Sequence, residues 1–104
     1  MAIRKSIEET LVVVGTRDDV LRRCEKGLSA QGFTAVKSNA VLYQIEGKFH
    51  KAFVWGEILI TLLPEGDNTR IVAKATANVD NVYTLFSSPT KKIHAAFKAG
   101  FSNS

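Results

Sequence analysis

Apolar and polar positions alternate along most of this chain with a period of two, and two stretches break into helical spacing. Ile7 to Val14 is β-branched and apolar and stops at Gly15, which predicts a strand. Thr16-Arg17-Asp18-Asp19 then reads as a helix start, with Thr16 as cap and Asp19 in the capping-box position. Acids in that first turn suit the positive end of the helix dipole. Val20, Leu21, Cys24 and Leu28 recur on one helical face, while Arg22, Arg23, Glu25 and Lys26 fill the other. Gly32 predicts a left-handed cap, with Phe33 folded back on the last turn.

Strand signals follow. Thr34 to Lys37 is a short strand and Ser38-Asn39 a tight turn. Val41 to Glu46 alternates, with Val41, Tyr43 and Ile45 on one face and Leu42, Gln44 and Glu46 on the other. Gly47 to Gly56 reads as an irregular connection. Glu57 to Leu63 is a strand apolar on both faces and ended by Pro64, and Glu65-Gly66-Asp67-Asn68 is a hairpin loop. Thr69 to Asn78 sets Ile71, Ala73, Ala75 and Ala77 against Arg70, Val72, Lys74, Thr76 and Asn78. Val79 to Phe86 reads as loop or short helix. Ser88-Pro89 starts a last helix, with Ile93, Ala96, Phe97 and Phe101 on its apolar face and Lys91, Lys92 and Lys98 away from it.

The order β-α-β-β-β-β-α predicts an α+β domain of two layers, an antiparallel sheet with both helices on one face. No repeat, linker or low-complexity segment interrupts it, so residues 1–104 form a single domain. This order resembles one repeat of the TATA-binding-protein-like fold. It also resembles a shortened helix-grip domain of the Bet v1/START type, in which a curved sheet wraps a C-terminal helix. The final helix is shorter than such domains carry and the strands are fewer, which argues against a large enclosed cavity.

Composition narrows the classes further. Hydrophobic residues at 45% and charged residues at 23% fit a globular chain and disfavour disorder. A chain this long buries about two-thirds of its unfolded surface, enough for a core without staples. The single Cys24 excludes an internal disulfide and a multi-cysteine zinc site. The N-terminus has no apolar run typical of a signal peptide, and Leu11 to Val14 and Ile58 to Leu63 fall short of the ~20 residues that span a bilayer. The expected location is cytoplasmic.

The net charge of +4 is mildly basic, and no acid follows Asp80. Lys48, His50 and Lys51 interleave with Phe49, Phe53 and Trp55, which reads either as a solvated connection or as an anion-facing surface. His50 and His94 lack metal-ligand spacing, and Asp18-Asp19 reads as helix capping. Glu8 and Glu9 point to opposite faces of their strand. Cys24 sits on the apolar stripe, and no phosphate-loop or hydrolase motif is present. These readings predict a non-enzyme with no catalytic residues, metal or cofactor.

The expected function is binding of an apolar or amphipathic molecule, such as a lipid, at Phe53, Trp55, Ile58, Ala73, Ala75 and Phe97. Contact with an anionic membrane surface through Lys48, His50, Lys51, Lys91 and Lys92 is the accompanying expectation. Nucleic-acid binding on the open sheet face is the alternative, disfavoured by the low net charge and by Glu46. Leu42, Leu59 and Leu63, with Thr61 and Val72, would leave an apolar strip on that face, which predicts a homodimer.

Overall fold

The computed structural model describes residues 4–51, 54–78 and 89–102, with side chains described for 6–50, 55–77 and 93–102. The elements run β1 (Arg4–Val14), α1 (Arg17–Ala30), β2 (Thr34–Asn39), β3 (Gln44–Lys51), β4 (Val54–Glu65), β5 (Asn68–Asn78) and α2 (Pro89–Ser102). The strands form one antiparallel sheet in the order β1-β5-β4-β3-β2. Both helices pack on one face of it, as the alternation predicts. The fold is α+β.

Caps set the ends of α1. Thr16 Oγ1 accepts from the Asp19 amide at 3.3 Å. The Asp19 carboxylate accepts from Arg22 at 2.7 Å, so the box is closed from one side only. At the other end the Phe33 amide donates to Leu28 (3.0 Å) and the Gly32 amide to Ser29 (3.2 Å). With Gly32 at φ +84°, this is a Schellman ending, and Phe33 and Leu28 are both in the core.

Registers fix which side chains the helices cover. Ile45, Phe49, Ile58, Ile60, Leu62, Ile71, Ala73, Ala75 and Ala77 are buried under α1 and α2 with Val20, Leu21, Cys24, Leu28, Ile93, Phe97 and Phe101. No described helix or strand covers the other face, hereafter the open face.

Several strand readings are corrected. Ser38 and Asn39 are the end of β2 and not the turn, which follows them, and β4 runs past Pro64 to Glu65. β3 starts at Gln44, because Asn39 Oδ1 takes up the amides of Val41 and Leu42, both at 3.0 Å, and Tyr43 turns at φ +52°. Val41 and Leu42 thus lie in the turn and point into solvent. Gly47 to Gly56 is not an irregular connection: β3 runs to Lys51 and pairs residue by residue with β4 from Val54 onward. The chain from Val79 to Ser88 lies outside the described residues.

Candidate functional site

The six residues expected to hold a ligand are split by the sheet. Ile58, Ala73 and Ala75 on the covered face of the sheet and Phe97 on α2 share one buried cluster, all at most 1% exposed. Trp55 is an odd-numbered position of β4 and points to the opposite face, where it is 53% exposed. Phe53 lies outside the described residues.

Packing under α2 is close. A methyl group at Gly56 would stand 2.7 Å from Ile93 Cδ1 and against the Thr76 carbonyl. One at Gly100 would meet the Gly27 carbonyl carbon at 2.7 Å, so backbone touches backbone where the two helices cross. Arg23 lies over the Phe101 ring at 4.2 Å at the same end. The C-terminal end of α2 is therefore held against α1, and its Ile93 end rests on the sheet near Gly56. Between them α2 packs on β4 and β5, and Phe97 shares one buried cluster with Ala73, Ala75 and Ala77, whose small side chains allow a close sheet-to-helix spacing.

A polar cluster borders this apolar layer at β1. His94 is buried, and its Nε2 lies 2.9 Å from the Ile7 carbonyl, so this nitrogen carries the hydrogen and donates. Nδ1 has no hydrogen-bond partner among the described residues and stands 4.0 Å from Glu9 Oε2. Glu9 Oε1 takes an ion pair from Lys98 at 2.5 Å. Sequence spacing gave His94 no carboxylate partner, because Glu9 is distant along the chain. The available signal was local: Glu9 shares the inward parity of Ile7 and Leu11, and Lys98 lies one turn beyond His94.

The basic residues distribute differently. Lys48 and His50 project from β3 onto the open face, where His50 stacks on Trp55 with ring centroids 3.5 Å apart. Lys51 belongs to β3, and Lys91 and Lys92 belong to the first turn of α2; their side chains lie outside those described. An open depression of about 330 Å³ lies on the same face, lined in part by Lys37, Glu46, Lys48, Leu59 and Lys74. Cys24 offers no nucleophile, since burial pushes its thiol up to about 12. Among the described residues no group of His, Cys, Asp and Glu is arranged to hold a metal ion, and no helix is long and apolar enough to cross a membrane.

No family model and no curated protein matches the chain. Solved structures do match. A norcoclaurine synthase from Thalictrum flavum superposes with a TM-score of 0.67 at 13% identity, covering 99% of this chain and 94% of that one. A START superfamily protein from Mycobacterium smegmatis gives 0.64 at 9% identity, over 94% of both chains. The protein Ara h 8.0201 gives 0.65 at 8% identity, over 96% of this chain and 97% of that one. The fold is a Bet v1/START-like helix-grip. The grip is legible in the geometry above: α2 is the gripped helix, and β4 and β5 carry the surface beneath it. At these identities the likeness is one of fold.

Proposed function

We propose that this helix-grip chain is a small non-enzymatic binding module for an apolar or amphipathic molecule, taken up between α2 and the sheet. The observation that carries the reading is the buried row Ala73, Ala75 and Ala77 in one core cluster with Phe97 of α2, bordered by His94 Nδ1, which has no hydrogen-bond partner among the described residues. Three small side chains leave α2 resting on a thin layer, and the Gly27–Gly100 contact holds the helix at one end. Tilting α2 about that contact lifts Ile93 and Phe97 and opens an apolar slot. His94 Nδ1 then supplies a buried hydrogen-bond partner for one polar group, which suits an amphipathic ligand over a pure hydrocarbon. The inert Cys24 thiol supports a binding role over covalent chemistry.

The reading extends to the membrane surface. Exposed Trp55 stacked on His50, on the same face as Lys48, combines interfacial aromatic and basic side chains, and Lys51 follows at the end of β3. Each basic residue at an anionic surface contributes ~1 kcal/mol, enough for reversible attachment and too little for anchoring. Nucleic acid fits less well, because Glu8, Glu46 and Glu57 interrupt the lysines of the open face.

Thermal-shift titration with single-chain amphiphiles tests the slot. Stabilisation is expected for the wild type and should be lost in Ala75→Leu, which fills the layer from the sheet side. Absence of any shift, together with native mass spectra free of co-purified molecules, would overturn the proposal. For the surface contact, vesicle co-sedimentation should need anionic lipid, fade with salt and weaken in Lys48→Ala/Lys51→Ala.

A further inference from the structure

The open face carries a charge pattern that the binding reading does not use. One row of side chains crosses all five strands at mid-sheet: Glu8 on β1, Lys74 on β5, Leu59 on β4, Glu46 on β3 and Lys37 on β2. All are exposed on that face, Leu59 at 39%. In order the row reads negative, positive, apolar, negative, positive. It is antisymmetric about Leu59. Among the described residues, none of these four charges forms an ion pair with another.

We propose that this face binds a second copy of the chain, across a two-fold axis that runs between the sheets along β4 and passes at Leu59. Such an axis lays β5 over the partner's β3 and β1 over the partner's β2. Lys74 then faces the partner's Glu46, Glu8 faces the partner's Lys37, and Leu59 meets its own copy. An axis running across the strands would set each residue of this row over its own strand's copy and bring like charges together, so the pattern selects one packing. Aligned sheets stack about 10 Å apart, a gap that a lysine and a glutamate together can span.

Twist ranks the two pairs. Stacked sheets cross at about 30°, and the inner pair lies about 5 Å from the axis, so it is displaced by only 2–3 Å. The outer pair lies about 10 Å away and is displaced roughly twice as far. Lys74 and Glu46 thus set the specificity. On the axis Glu57 meets its own copy, and Lys48, its cross-strand neighbour, flanks it from both chains and keeps that row neutral. Leu63 and Val12, 42% and 49% exposed, extend the apolar contact toward one end of the strands. The face measures roughly 20 by 30 Å, or ~600 Å² per copy, below the ~800 Å² of a standard interface, so a micromolar dimer is expected. Because the axis follows β4, Trp55 meets its own copy as well, so self-association and the membrane contact of a single chain use this face in turn.

Charge exchange tests this packing. Sedimentation equilibrium from ~1 to ~100 μM should show a monomer–dimer equilibrium for the wild type. Lys74→Glu and Glu46→Lys, each checked for native circular dichroism, should both weaken self-association roughly ten-fold or more, since symmetry reverses two pairs at once. Mixed in equal amounts, the two variants should form a heterodimer of near wild-type affinity, because each supplies the charge that the other lacks. A wild type that stays monomeric at ~100 μM overturns the proposal. So does a mixture that fails to recover association. Leu59→Arg, placed on the axis, should abolish the dimer whichever charges surround it.

Discussion

The two faces of this one sheet follow different rules, although they are built from alternate residues of the same strands. Beneath the helices, Ile58, Ile60, Leu62, Ile71 and three alanines form a continuous apolar layer from which water is excluded. On the open side, Leu59, Leu63, Val12 and Trp55 stand between lysines and glutamates, each 39% exposed or more. The covered face is specified by volume, because every atom must fit against a helix. The open face is specified by sign and position, because its groups remain solvated until a partner arrives. One-residue offsets therefore separate stability from recognition.

Neighbouring substitutions should expose this difference most strongly. Ile60→Ala removes a fully buried side chain and should cost about 3 kcal/mol in denaturant unfolding. Leu59→Ala, one residue earlier on the open face, should cost the monomer less than about 1 kcal/mol. Measured below ~1 μM protein, where the proposed dimer dissociates, the two values should differ several-fold. Equal losses would mean that the open face is covered within a single chain.

The helix–helix crossing gives the next largest effect, and its sign carries the information. Replacing glycine by alanine inside a helix ordinarily gains about 1 kcal/mol. At Gly100 the added methyl would run into the Gly27 carbonyl and come within 2.9 Å of Gln31 Cγ. Gly100→Ala should therefore destabilise by about 1–3 kcal/mol, lowering Tm in place of raising it. The buried Cys24 thiol provides a second readout: with its ionisation pushed up to about 12, it should resist alkylation at neutral pH and react faster once α1 and α2 loosen. A raised Tm would show that the helices have room between them.

Much of this fold was legible because it rests on local signals. Thr16 and Gly32 mark the ends of α1 by their own chemistry, and the parity of Ile58, Ile60 and Leu62 against Ala73 and Ala75 marks the covered face. The misread strand start has a local cause as well, but a less visible one. Asn39 draws the following amides to its side chain, which no hydrophobic alternation reveals. Gly47 to Lys51 looked irregular because its glycine and basic residues carry little strand propensity, whereas pairing with β4 imposes the strand. For the candidate site, reading Gly47 to Gly56 as a connection gives Trp55 no strand parity, so nothing in the sequence separates it from Ile58; with β4 starting at Val54 the two lie on opposite faces. The Glu9–His94 contact joins β1 to α2 and exists only once the two have packed together.

The smallest effect belongs to the hairpin that joins β4 to β5, on the rim of the open face. Glu65 accepts two bonds from Arg70, Nε to Oε2 at 3.0 Å and a terminal nitrogen to Oε1 at 2.7 Å, across a turn in which Gly66 takes φ +60°. The Arg70 hydrogen bonds hold the Glu65 carboxyl below its ordinary 4.5. A carboxyl whose folded value is lowered contributes stability above its unfolded value and loses it as pH falls through the lowered one. Both partners are solvated and salt screens them, so the contribution is slight. Glu65→Gln should then lower Tm slightly at neutral pH and make no difference in strong acid, where the wild-type carboxyl is itself protonated. Paired thermal melts from neutral to acid pH at low salt check the convergence. A gap that persists or widens in acid would assign the role of Glu65 to the shape of the turn and not to its charge. The hairpin would then follow the packing rule of the covered face, although it stands at the edge of the open one.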